Sequence, residues 1–448
     1  MYFVLGLSIV SFIVSFSVKP NIFSKRMLEL RSVSEPFEIL KKINGFYGLI
    51  GPNIEKKQTT TLFDLFMGNG MVQGVFIENG QITYIKKEIE TDKHKIEHSY
   101  SRKPKLKIPN MFGVANTAFF HFKNKTYALF ERDSPYLINI DFKLKEMYTI
   151  GKCEIEDIAH FSAHPKIRYS EDHSYIETID YDVLHRKVKI YQLDDYLRIL
   201  STTQIPVKYV PMVHDFISTP NSIVLLNSPF MADIHLFPQF STKIKLDVSK
   251  SSIFYVMDRE SNKIQRYYTN QGIYIFHYAD VYENEREIEI YTPVHSSLDF
   301  SKLELKGKYR KIILNKKTKT VQIEQNPELE KWNVEFPVSF YHENKQKIIM
   351  RYIDDDVPIN TGFIICHKLE IEKRICFNGK CICGEPYILY YGDPYAIFFT
   401  IDKDNNGFFN VLNLVNEENI ELPINGKMKI GFHSIFLENI YGKSYKNN

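Results

Sequence analysis

The feature that most constrains this chain is a recurrence of short, alternating apolar runs broken by tight turns, with no long amphipathic helix and no strand–helix–strand alternation. Val75-Phe76-Ile77, then Glu78-Asn79-Gly80, then Ile82-Thr83-Tyr84-Ile85 reads as two strands joined across an Asn-Gly turn. The positive φ angles of such a turn match the twist of paired strands. Asn378-Gly379, Asn406-Gly407 and Asn425-Gly426 repeat the signal between runs rich in Ile, Val, Phe and Tyr, and predict three further hairpins. A short helical reading over residues 34–44, with Ser34 as its cap and Pro36 in its first turn, precedes them. Many short antiparallel strands over about 400 residues leave many edges to hide, and radial repetition in a β-propeller hides them better than one sandwich of that size. The predicted fold class is therefore all-β, with residues 21–448 forming a single propeller domain.

Charge and cysteine content narrow the function. The chain carries 57 Lys+Arg against 54 Asp+Glu, a net charge of +3, too near balance for an electrostatic nucleic-acid binder. Of its 5 cysteines, Cys153 stands alone and Cys366, Cys376, Cys381 and Cys383 crowd one region, which is no disulfide framework and points to a reducing compartment. Cys366-His367 with the three later cysteines lacks paired C-x-x-C knuckles, so these read as packing and turn residues rather than a zinc site. Residues 2–18 are apolar apart from four serines, and Lys19, Lys25 and Arg26 follow them. Residues 1–20 thus read as an anchor or signal anchor with a cytosolic body, the other readings being a cleaved signal and a buried apolar arm.

Two familiar patterns fail on inspection. Gly68-Asn69-Gly70-Met71-Val72-Gln73-Gly74 is one residue too long in its last spacing for a dinucleotide fingerprint, and no helix follows. Asp402-Lys403-Asp404-Asn405-Asn406-Gly407 opens like a calcium loop, but Asn413 stands where a bidentate Glu is required, so it reads as a polar hairpin turn.

Four histidines stand out by their neighbours: His164 in Ala163-His164-Pro165, His214 in Val213-His214-Asp215-Phe216, His277 in Phe276-His277-Tyr278, and His433 in Phe432-His433. Each interrupts an apolar or aromatic stretch. A buried neutral imidazole needs partners for both ring nitrogens, which a metal and a carboxylate can supply. Taken singly, each is as well read as a satisfied core residue. Their spacing puts them on separate blades if a blade uses about 60 residues, so only an axial point could collect all four.

These residues belong to a longer ordered set. Gly51-Pro52-Asn53, Gly68-Asn69-Gly70-Met71-Val72, Ala128-Leu129-Phe130-Glu131, Ala163-His164-Pro165, Met212-Val213-His214-Asp215-Phe216, Phe276-His277 with Tyr282-Glu283, Glu335-Phe336-Pro337, Glu385-Pro386 and Gly431-Phe432-His433 resemble, in order, the signature of carotenoid cleavage oxygenases. The resemblance covers nearly the whole body of the chain. It implies a seven-bladed propeller with one nonheme Fe(II) on its axis, held by His164, His214, His277 and His433, with Glu131, Glu335 and Glu385 supporting three of those histidines. A carboxylate on the far ring N–H fixes the tautomer and raises ligand basicity.

The implied function is oxidative cleavage of a C=C bond in a carotenoid or apocarotenoid to carbonyl products, with O2 as co-substrate and no catalytic protein group beyond the metal centre. The alternatives are retinoid isomerohydrolase or stilbene-cleaving chemistry at the same iron, and a noncatalytic ligand-binding propeller. An apolar polyene substrate also implies association with a membrane surface, through residues 2–18 or an apolar patch. The chain departs from the family at Met67, Asn69 and Gln73, where relatives carry acidic residues and a following histidine, so this turn is expected to be held by different bonds. It departs again at Phe130, where stilbene-cleaving relatives carry a lysine, which favours a carotenoid or apocarotenoid over a phenolic stilbene.

Overall fold

The computed structural model of the protein describes residues 26–28, 38–54, 59–99, 113–131, 133–169, 174–233, 243–353 and 361–439. The apolar segment over residues 2–18 and the start of the helical reading, residues 34–37, lie outside them. Within them a helix runs over Glu38–Lys42. No described helix is long and apolar enough to cross a membrane.

Seven antiparallel sheets of four or five strands make a seven-bladed β-propeller, and Phe230–Asp233 with Lys243–Leu246 adds a two-stranded ribbon. Blade one contains Gly45–Pro52, Gly70–Glu78 and Gln81–Glu88. Blades two to seven follow over residues 118–152, 166–206, 217–268, 280–324, 333–376 and 380–427. The ring closes in blade one, where Gly45–Pro52 pairs with Gly70–Glu78 on one side and with the last strand, Ser434–Glu438, on the other. A Cβ on Gly51 would fall 2.5 Å from the Cα of Gly431. Glycine at that crossing lets the two ends of the chain meet.

Each blade packs its two faces on its two neighbours, so central strands are apolar on both sides. In Lys345–Ile353, Ile348, Met350 and Tyr352 join Tyr291 and Tyr309 of blade five. Ile349, between them in sequence, joins Phe398 and Leu412 of blade seven. This is the period of two read outward in both directions. Fully buried Phe363 lies in the second of these clusters, and its truncation to Ala would cost roughly 3–5 kcal/mol.

The turns divide the Asn-Gly expectations. Asn79 (φ 51°) and Gly80 (φ 78°) form the predicted two-residue turn between Gly70–Glu78 and Gln81–Glu88. Asn378-Gly379 does not make a hairpin: it carries the chain from the outer strand of blade six, Glu370–Cys376, to Lys380–Ile382, which pairs with Asp393–Asp402 of blade seven. At Asn406-Gly407 a hairpin does form, but the left-handed residue is Asn405 (φ 62°), and Gly407 lies in the returning strand. Asn425-Gly426 is a bulge near the end of Asn419–Lys427, not a turn between paired strands. The same φ > 0 preference serves a crossover, a three-residue turn or a bulge equally well. Asp402 makes the predicted polar turn, its Oδ1 accepting from the backbone N–H groups of Asp404 and Asn406 at 2.9 and 2.8 Å. Cys366 and Cys383 are buried in core clusters, and burial pushes the Cys366 thiol up to about 12.

Candidate metal centre

Because every blade meanders in the same sense, the innermost strands all begin at one end of the axis. The four histidines occupy that end. His164 comes just before Lys166–Tyr169, His214 before Ile217–Ser218, His277 before Asp280–Glu283 and His433 directly before Ser434–Glu438. The glutamates reach the same end by other routes. Glu131 follows Lys125–Leu129, Glu335 lies near the start of Asn333–His342, and Glu385 falls in the gap between Lys380–Ile382 and Tyr387–Tyr391.

The structure brings all seven together. The Nε2 atoms of His164 and His214 lie 3.0 Å apart, those of His214 and His277 3.3 Å, and those of His277 and His433 3.0 Å. All four ligand atoms fall within 4.8 Å of one another. On the far side of three of the rings, His277 Nδ1 meets Glu335 Oε2 at 2.7 Å, His433 Nδ1 lies 3.3 Å from Glu385 Oε1, and His214 Nδ1 is paired with Glu131 Oε1. For His164 the contact is through the backbone, whose N–H donates to Ser162 Oγ at 3.0 Å.

This hydrogen bonding tests whether the residues suit a metal. An imidazole that donates its Nδ1–H to a carboxylate presents a bare lone pair at Nε2. Such lone pairs turned on one another at 3.0–3.3 Å repel unless a cation lies between them. Adjacent ligands at right angles on bonds of about 2.1 Å would sit about 3 Å apart, so the spacing fits one ion. Burial, and behind it the neighbouring imidazoles, hold His164 well below the usual histidine range. Burial also lowers His277, against the pull of Glu335. For His214 the cost of burial is outweighed by the Glu131 carboxylate, which raises it.

Glu335 has a second histidine partner that reading the sequence missed. His295 is fully buried, and its Nε2 meets Glu335 Oε1 at 2.6 Å. Burial disfavours the Glu335 carboxylate, yet His277 and His295 together hold its carboxyl well below the usual range. His295 ends the strand Glu287–His295 after Pro293-Val294, and nothing in that context marks it. The backbone next to Glu335 is strained: Phe336 has φ 56° and, with Pro337, bulges from the ladder between Glu335 and Val338. The bulge lays the Phe336 ring on His277 at 5.5 Å and edge-on to His433 at 5.5 Å.

An aromatic cap covers the same end. Phe276 sits edge-on to His214 at 5.3 Å and to His295 at 5.1 Å, while Phe66 contacts Phe276, Phe300 and Phe432 at 5.8–6.3 Å. Phe66 ends the helix Leu62–Phe66, which is fixed by a Thr61/Asp64 capping box and by Leu62 N–H donating to Lys302 O at 2.8 Å. The glycine-rich turn is held by bonds of its own kind: Asn69 donates to Glu97 at 2.7 Å, Lys93 donates to Met67 O at 2.9 Å, and Gln73 exchanges two bonds with the Lys429 backbone. Glu283, part of the ordered motif set, is not at the centre. It ties Thr219, Ser222 and Lys316 together between blades.

Fold and site thus define a seven-bladed propeller with a four-histidine centre backed by carboxylates. The chain belongs to the family described as Retinal pigment epithelial membrane protein, whose profile matches residues 38–438. It is 24% identical over 468 residues to a carotenoid 9,10(9',10')-cleavage dioxygenase 1 of Arabidopsis thaliana, covering 88% of this chain and 84% of that protein. The corresponding protein of Phaseolus vulgaris is 25% identical over 281 residues, 56% of this chain, and the match spans about half of that relative, 51%. Among solved structures, cobalt-substituted Synechocystis apocarotenoid oxygenase superposes with a TM-score of 0.71 at 16% identity, covering 89% of this chain and 93% of that one.

Proposed function

We propose that the protein is a nonheme Fe(II) dioxygenase that cleaves a C=C bond of a carotenoid or apocarotenoid into two carbonyl products. The observation that carries this reading is the convergence of four Nε2 atoms at 3.0–3.3 Å with the opposite nitrogens of three rings turned to glutamates. His164, His214, His277 and His433 would hold the ion, one per chain, and Glu131, Glu335 and Glu385 would fix the tautomers of three of them. When bound, such an iron supplies coordination positions at which O2 and an alkene meet without a protein nucleophile or general base.

The chain's own residues do the rest. Phe66, Phe276, Phe300 and Phe432 form an apolar cover that suits a polyene and keeps water from the reacting bond. The Phe336 ring holds His277 and His433 in orientation. The relatives named as carotenoid 9,10-cleavage dioxygenases and the apocarotenoid oxygenase of the same fold support this substrate class. Turnover of an all-trans carotenoid under 18O2 tests the reading: two aldehyde or ketone products carrying the label are expected. Carbonyl products without label, or an intact carotenoid alongside unlabelled isomerisation and hydrolysis of an all-trans retinyl ester supplied in parallel, would overturn it.

A further inference from the structure

One cation near the centre is uncommitted. Arg351 lies directly opposite Glu335 in the ladder of blade six, which sets the two side chains on one face of the sheet. Its guanidinium rests on the Phe336 ring, 5.0 Å from the centroid, and one terminal nitrogen donates to Ile382 O at 3.2 Å. Its Nε is buried without a hydrogen-bond partner. Among the described residues it forms no ion pair with a carboxylate.

Arg351 also lines a cavity of about 140 Å³ whose walls are mostly aliphatic, with Leu62, Leu65, Leu305 and Ile353 among them. The cavity shares Glu335 with the metal centre. A cavity of about 150 Å³ accommodates a benzene-sized group, so this one, partly open to solvent, takes the end of a long apolar molecule rather than its length. A guanidinium that lines such a cavity with no carboxylate partner offers donors to an acceptor bound there. The acceptor is better neutral than anionic, because Glu304 and Glu335 line the same walls and set two carboxylates against one guanidinium.

We infer that this cavity binds the carbonyl-bearing end of a polyene aldehyde or ketone, with Arg351 donating to the carbonyl oxygen and so selecting an apocarotenoid over a hydrocarbon carotene. This deepens the function proposed above, since it rests on a polyene substrate at the histidine centre.

The chain's 1 tryptophan, Trp332, directly precedes the cavity-lining Asn333 and Val334. Polyenes absorb where tryptophan emits, so quenching reports binding without metal or turnover. The full chain, stripped of metal, is titrated with a polyene aldehyde and with the hydrocarbon and the carboxylic acid of the same length. Wild type should bind the aldehyde about 10-fold tighter than either, the worth of one hydrogen bond from a charged donor (about 1.4 kcal/mol). The visible band of the bound aldehyde should shift to the red. Arg351→Met should lose both preference and shift while keeping its affinity for the hydrocarbon, and Arg351→Lys should keep part of the preference.

Equal affinity for all three ligands in wild type with no red shift, or tightest binding of the acid, overturns the inference even if Arg351→Met fails to fold. So does an Arg351→Met variant that weakens all three ligands alike. Arg351-dependent selection in a protein that never cleaves a polyene would sink the oxygenase reading and leave the cavity assignment standing. Cleavage without selection would do the reverse.

Discussion

Two buried carboxylates, Glu177 and Glu335, show how a structural polar network differs from the one proposed to serve a metal. Glu177 is wholly buried between blades three and four. It accepts from Arg259 through two nitrogens at 2.6 and 2.8 Å, from Ser218 at 2.6 Å and from Gln192 at 3.2 Å. Glu335 is as well satisfied, by His277, His295 and the Phe336 N–H. The difference lies beyond the donors. Arg259 spends its charge within the pair, whereas His277 passes the effect of its carboxylate through the ring to an Nε2 that faces three others. A buried charge is therefore not in itself a sign of a site; a satisfied network that leaves several bare lone pairs converging on one point is.

That contrast can be broken from either side. The largest effect is expected from His277→Ala, which removes a central member of the Nε2 cluster and should abolish iron retention and turnover, read by metal analysis and product formation. Glu177→Gln should cost about 3–5 kcal/mol of unfolding free energy by leaving Arg259 buried and unpaired. Denaturant titration measures that loss, and iron bound per folded chain should not change. Glu335→Gln should do the opposite, keeping the fold and losing roughly 10- to 100-fold in metal affinity or rate.

His295→Leu leaves Glu335 Oε1 without its 2.6 Å partner and should lie at the lower end of that range, about 10-fold. His295→Gln, which can still donate, should recover most of the loss. The smallest effect is in pH dependence. Burial opposes the Glu177 carboxylate, but the Arg259 guanidinium holds its carboxyl below the usual range. With a depressed folded pKa, its contribution to stability is complete above the unfolded value of about 4.3 and is lost as pH falls through the lower folded value. Unfolding free energy measured between pH 6 and 3 should therefore fall more steeply in wild type than in Glu177→Gln.

Much of this was legible in the sequence because blade packing repeats one rule. Strands apolar on both faces, such as Lys345–Ile353, announce themselves, and the Asn79-Gly80 turn sits where its φ preference predicts. The four histidines and three glutamates were legible through their ordered neighbours, since composition alone did not separate them from core residues. His295 and Arg351 were not. Each takes its meaning from a partner across the fold, 40 residues away for His295 and Glu335, and from space that only the assembled blades define. The Asn-Gly pairs at 378 and 425 misled for a related reason: they report a backbone conformation, and which strands the conformation joins depends on the ring.

The most direct test of the central claim is the iron stoichiometry of the folded full chain after anaerobic loading with Fe(II) and removal of excess metal. The arrangement of His164, His214, His277 and His433 predicts about one iron per chain. A correctly folded protein that retains none would contradict it and leave a propeller whose histidine cluster serves another end.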